Sequence, residues 1–217
     1  MIGLPVKSLT VDQAAGLTAS QLSNLTSTQV ASLTKAQLAG FTDDDALAAL
    51  NITGVSAANI GALFDNLSTA QITKLTSTQI GALSATQIGT MTEEQAAVLT
   101  ASQAPFFKSV TGFKTTSNAV VENLDPKFIA AIPAKIFGGL TDAQLTALTD
   151  TQVAAMSSSQ LASLTATKVN AGLTADIASL TTAALAGLTS ANISAFDLDN
   201  LSGEGQFAAL TPAQIGW

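Results

Sequence analysis

Carboxylates are the only side chains in this sequence whose grouping invites chemistry. Asp43, Asp44 and Asp45 are contiguous, and Asp197 and Asp199 stand close together. Paired carboxylates can divide into a general acid and a general base, or hold a calcium ion between them. Neither group carries the Gly and Glu spacing of an EF-hand loop. The chain has no His and no Cys, so the commonest general base and the strongest nucleophile are missing, and no Ser has an imidazole partner. Catalysis, a cofactor and a bound metal are therefore not expected. The carboxylates read more simply as residues that start helices, which directs attention to the elements that would carry them.

Composition narrows those elements. Of the 217 residues 47% are hydrophobic but only 5% aromatic and 11% charged, so packing must rely on Ala, Leu, Ile and Val in shallow, regular layers. The net charge is −7 with no Arg among the cations. An acidic chain whose Lys residues are scattered offers no footprint for a phosphate backbone, so no nucleic-acid partner is expected. Zero Cys excludes a disulfide framework. The mean hydropathy of +0.40 does not make this a membrane protein, because Thr or Ser recurs throughout and no uninterrupted apolar run approaches the roughly 18 residues of a spanning helix. The opening MIGLPVKSLT lacks the charged region and apolar run of an ordinary signal peptide. Either the protein stays inside, or its export signal is elsewhere or was removed.

Periodicity is the dominant signal. Leu9, Leu17, Leu25, Leu33 and Phe41 fall eight apart, as do Leu67, Leu75, Leu83, Met91 and Leu99, and again Leu124, Ile132, Leu140, Leu148, Met156 and Leu164. Looser rungs follow at Leu173, Leu180, Leu188, Phe196 and Leu210. The consensus octad is Leu, Thr, x, x, Gln, Ile/Val/Leu, x, x. Thr or Ser at position two is a helix N-cap, and Gln three residues later can return a bond to the cap's own N–H, forming a capping box. This reading places N-caps at Thr18, Thr26, Thr34, Ser68, Thr76, Ser84, Thr92, Thr141, Thr149 and Ser157. Leu at position one and the aliphatic residue at position six then form a hydrophobic staple. Substitutions follow cap chemistry: Ser56, Asp125 and Asp197 occupy the same slot, and Pro126 and Pro212 fall at the first helical position, where Pro is tolerated. Asp43 to Asp45, Glu93 and Glu94 lie in first turns, where negative charge suits the helix dipole.

Each helix has room for about six residues, far below the roughly 12 at which an isolated helix becomes marginal, so stacking on neighbours must stabilise it. In one continuous helix an eight-residue period would advance about 80° beyond two turns and wrap the Leu residues around the axis. In a strand, positions one and six would face opposite sides. The expected fold is all-α, a solenoid of very short capped helices, one per octad, with positions one and six inward and positions three, four, seven and eight outward; a β-solenoid is the alternative.

The pattern divides the chain into a solenoid half over 1–103, an irregular aromatic segment over 104–123 that breaks the register, and a second half over 124–217. The middle segment carries Phe106, Phe107 and Phe113, aromatics free to meet another subunit. With Ile215 and Trp217 near an apolar terminus, they are the candidate self-association residues. Repeated Thr, Ser and Gln could present hydroxyls and amides to surface glycans, though capping alone explains them. Asn-x-Ser/Thr triplets at Asn24, Asn51, Asn66, Asn192 and Asn200 are glycan acceptors if the chain is secreted. The octad resembles the Leu-Thr-x-x-Gln arrays of large secreted and cell-surface bacterial proteins, a family with no agreed activity. It also looks like the first helix of a transcription-activator-like effector repeat, but the second helix, the 34-residue period and the base-reading loop are absent. The resemblance to the surface arrays implies an extracellular spacer, adhesin segment or filament subunit that meets copies of itself head to tail. A soluble binding module for a protein or glycan is the rival.

Overall fold

In the computed structural model the described residues are 5–173, 177–194, 201, 203–208 and 210–215. Among them are 21 α-helices, a few 3-10 turns and no strand. The α-helices are 4 to 7 residues long. Most start where a cap hydroxyl or carboxylate accepts a backbone N–H, Ala134–Phe137 behind Pro133 being an exception, and most end where the N–H of the next position-one residue bonds back to the position-six carbonyl, as in Leu75 to Ile72 and Leu164 to Leu161.

The helices wind into coils of three. Val11–Ala15 packs on Lys35–Ala39, Ala19–Ser23 on Asp44–Ala49, Asp142–Thr146 on Ala166–Gly172, and Ala134–Phe137 on Ser158–Ser163. Each of these pairs spans three repeats, so every helix lies over the one a full turn earlier. The solenoid thus has three columns of helices joined by three columns of corners. Positions one and six line one continuous apolar interior running from Val6 to Leu210. Positions three and four face solvent, while seven and eight are partly covered by the adjacent coil and are often Ala or Gly. Gly187 shows the reason, since a Cβ there would collide with the backbone of Ser158 one turn away.

The segment 104–123 is corrected by this geometry. It holds a 3-10 turn, Ala104–Phe106, and two helices, Val110–Thr115 and Asn118–Glu122, capped by Ser109 and Ser117. Position-one residues run Leu99, Phe107, Thr116 and Leu124, so one repeat has nine residues instead of eight, and all four are buried. The extra residue is taken up at the corner, where the cap moves one place along to Ser109, as it moves to Asp43 after Phe41. Val110–Thr115 packs closely on Ala85–Gly89 and also on Ala134–Phe137. Gly112 permits the first approach, since a Cβ there would lie 2.8 Å from the Ile88 side chain. The coil is continuous through the segment.

A cap and a staple can be separated by mutation. Thr76 Oγ accepts from the Gln79 N–H at 3.3 Å, and Leu75 is only 4% exposed. Thr76→Ala is expected to cost about 1 kcal/mol and Leu75→Ala about 2–5 kcal/mol in urea denaturation. Equal and negligible losses would show that the staple is not packed.

Candidate functional site

All ten caps named from the sequence, Thr18, Thr26, Thr34, Ser68, Thr76, Ser84, Thr92, Thr141, Thr149 and Ser157, sit in reciprocal capping boxes with the Gln three residues on. Thr10 makes another. The Gln does more than cap. Gln79 Oε1 accepts the Thr76 N–H at 2.8 Å, while Nε2 donates to the carbonyls of Ile52 and Val55, 2.7 and 2.9 Å away in the preceding coil. Gln37 bonds in the same way to Val6 and Leu9, Gln95 to Phe64 and Leu67, Gln103 to Ile72 and Leu75, Gln144 to Phe113 and Thr116, and Gln160 to Ile129 and Ile132. One amide therefore closes its own helix start and satisfies two carbonyls at the corner beneath it. These side chains are almost fully buried, and among the described residues no buried side-chain nitrogen or oxygen lacks a partner.

Three replacements at this position keep the donor, while Ala46, Gly112, Val120 and Ala184 carry none. Lys168 Nζ donates to Gly138 and Leu140 at 2.5 and 2.6 Å, Asn59 Nδ2 to Leu33, and Asn192 Nδ2 to Leu164. A signal for this role was present in the sequence, in the preference for Gln where Glu would serve a capping box equally well. Gln13 and Gln21 differ. Each accepts its cap N–H, but among the described residues no coil precedes theirs.

The aromatic candidates separate. Phe107 and Phe113 are each 1% exposed and belong to the core, whereas Phe106 is 39% exposed. Phe107 meets Phe113 edge-on at 5.2 Å and Phe128 edge-on at 5.6 Å. Phe107 and Phe113 therefore cannot join a surface patch; Phe107 is the position-one residue at the corner that follows the 3-10 turn Ala104–Phe106, and Phe113 is on the inward face of Val110–Thr115, while Phe106 stays out. Ile215 closes the helix Pro212–Ile215; its side chain and all of Trp217 lie outside the described residues. Phe207, at 46% exposed, is an apolar surface residue that sequence reasoning missed.

The carboxylates take structural places. Asp43 caps the helix Asp44–Ala49 by accepting the Ala46 N–H at 2.7 Å, with Asp44 and Asp45 exposed in its first turn. Asp197 and Asp199 lie outside the described residues. Bonding from its own backbone N–H and from the Thr92 hydroxyl holds the Glu94 carboxyl below the usual range; the help it gives the helix is present above that range and lost on acidification. Among the described residues no three of His, Cys, Asp and Glu converge as metal ligands, and no helix is long and apolar enough to cross a membrane.

Repeated corner chemistry, coil upon coil, decides the class. The chain is a repeat protein. Residues 64–93 match the ALTTAQ repeat family; no curated protein matches the chain. The matched stretch contains the capping boxes of Ser68, Thr76 and Ser84, together with the Gln71 and Gln79 amides that bond to the coil before. The ALTTAQ match thus falls on repeats that carry the corner bonds.

Proposed function

We propose that this repeat protein is a structural element, a spacer or filament subunit of an extracellular or cell-surface assembly, without catalytic activity, in which the solenoid sets length and stiffness. The observation that supports this reading is the recurrent amide bonding from coil to coil, because the same packing continues for as long as coils are supplied. A coil of a second copy would meet Gln13 and Gln21 as later coils meet Gln37 and Gln79. A heterologous contact of that kind does not close, and so gives a filament.

Negative-stain microscopy of the purified chain tests the reading, with filaments expected. Gln13→Glu combined with Gln21→Glu alters groups that are not buried and is expected to shorten the filaments while helical content stays constant. Discrete particles from the parent chain at high concentration would overturn it in favour of a binding module for a protein or glycan.

A further inference from the structure

The Lys residues that look scattered along the sequence are partly gathered by the coil. One column of helices, together with the corners that enter it, carries seven charged side chains in five consecutive coils. In chain order its elements are Asp44–Ala49, the 3-10 turn Phe64–Asn66, Ala85–Gly89, Val110–Thr115 and Ala134–Phe137. Contacts run up this column without a break. Gln71, just beyond Phe64–Asn66, bonds to Leu47; Thr90, at the end of Ala85–Gly89, bonds to Asp65 at 3.1 Å; and Val110–Thr115 packs on the helices below and above it.

The column's charge is ordered. Its first two coils bear Asp43, Asp44, Asp45 and Asp65; the fourth bears Lys108 and Lys114; the fifth bears Lys135. All of these are exposed. The middle helix, Ala85–Gly89, is uncharged and has Ala85 and Thr86 at its outward positions three and four. Two shallow grooves flank the acidic helix, one of about 370 Å³ lined by Ala15–Ala19, Asp43 and Asp45, the other of about 410 Å³ lined by Asp44, Asp45, Leu47, Asn66 and Ser68. Each has room for the stem and head of a lysine.

We propose that this column is a lateral docking surface for a second copy of the chain, paired antiparallel about a two-fold axis through Ala85–Gly89. The inference rests on the self-associating reading above but concerns a different face. A two-fold operation about that helix brings the first coil opposite the fifth and the second opposite the fourth. Asp44 and Asp45 of one copy then meet Lys135 of the other, and Asp65 meets Lys108 and Lys114. Both halves of the contact are satisfied at once, as an isologous interface requires. The parallel arrangement sets like charge against like, so charge selects orientation more than it supplies affinity. Small side chains at the axis let the two middle helices approach closely. Phe106 enters the corner before Lys108 and adds an exposed ring at the edge.

Sedimentation velocity tests the pairing directly. At about 20 mM salt the parent chain is expected to dimerise, and the dimer to weaken at about 500 mM, where the Debye length falls well below 10 Å. One variant reverses the acids, Asp44→Lys with Asp45→Lys and Asp65→Lys; another reverses the bases, Lys108→Glu with Lys114→Glu and Lys135→Glu. Each alone is expected to dimerise at least about tenfold more weakly than the parent, because every cross-copy pair becomes repulsive. Mixed in equal amounts, the two are expected to regain association as a heterodimer. Circular dichroism of each variant verifies that it remains folded. A parent that stays monomeric at low salt, or a mixture that fails to associate, would overturn the proposal. Variants that each dimerise as strongly as the parent would also overturn it, while leaving head-to-tail assembly intact.

Discussion

Replacing Gln160 by Glu is expected to destabilise the protein by about 3–5 kcal/mol at neutral pH, the range seen when a buried charge is left uncompensated. Gln160 is 1% exposed. Its Oε1 accepts the Ser157 N–H at 2.8 Å, and its Nε2 donates to Ile129 and Ile132 at 2.6 and 2.8 Å. Glu keeps the shape and the acceptor. It loses both donors and sets a carboxylate against two carbonyl oxygens in a buried site. A corner that served only as a capping box would treat Gln and Glu alike, so the substitution separates the local role from the bond between coils. The pH dependence has a definite sign. Burial and the facing carbonyls raise the folded-state pKa of the introduced Glu above its unfolded value of about 4.3. The penalty is therefore full above the folded pKa and shrinks as pH falls through it, when the protonated acid donates to one carbonyl. Urea denaturation at pH 8 and at pH 5 reads both effects. Gln160→Lys is expected to lose less than Gln160→Glu, since Lys168 already bridges two carbonyls of the coil beneath it. A loss below about 1 kcal/mol for Gln160→Glu would mean that this amide adds nothing beyond its cap.

Phe107→Ala is expected to cost about 3–5 kcal/mol. The ring is 1% exposed and packs edge-on against Phe113 and Phe128, joining helices from two successive coils. Truncation leaves a void that the neighbouring backbones cannot close, because each is held to the next by corner hydrogen bonds. Phe106→Ala, one residue earlier and 39% exposed, is expected to change stability by no more than about 0.5 kcal/mol. Thermal or urea unfolding of the two variants side by side makes the comparison. Similar small effects at both positions would return 104–123 to the status of an irregular segment outside the core.

Several features of this molecule were legible in the sequence because they are local. The eight-residue spacing of Leu-Thr, with Gln three residues after each cap, encodes a capping box closed within a single helical turn. The box forms wherever the chain places a hydroxyl and a carboxamide three residues apart. The helix starts at Thr76, Thr141 and Ser157, the inward direction of positions one and six, and the all-helical class follow from that spacing and from 3.6-residue geometry. Less visible was the continuity through 104–123, where one nine-residue repeat and a displaced cap at Ser109 hide a ladder that still runs from Leu99 through Phe107 and Thr116 to Leu124. There the local code tolerates an inserted residue, since a corner has slack that a helix lacks.

Tertiary structure alone decided what the corners rest on. The partners of Gln79 Nε2 lie 24 and 27 residues back, and those of Gln160 lie 28 and 31 back. No spacing rule within one repeat specifies such distances. They follow from the angle through which each corner turns the chain: three corners bring it round, and the fourth lies over the first. The same closure turns Phe107 inward, chooses Gln over Glu, and gathers Lys108, Lys114 and Lys135 onto the same column as the oppositely charged Asp43, Asp44, Asp45 and Asp65. A small error in rotation per repeat accumulates around the turn and would hand every amide a different carbonyl. The octad therefore specifies the helices singly, and the coil, formed only when all three corners close together, specifies what they hold and what they present.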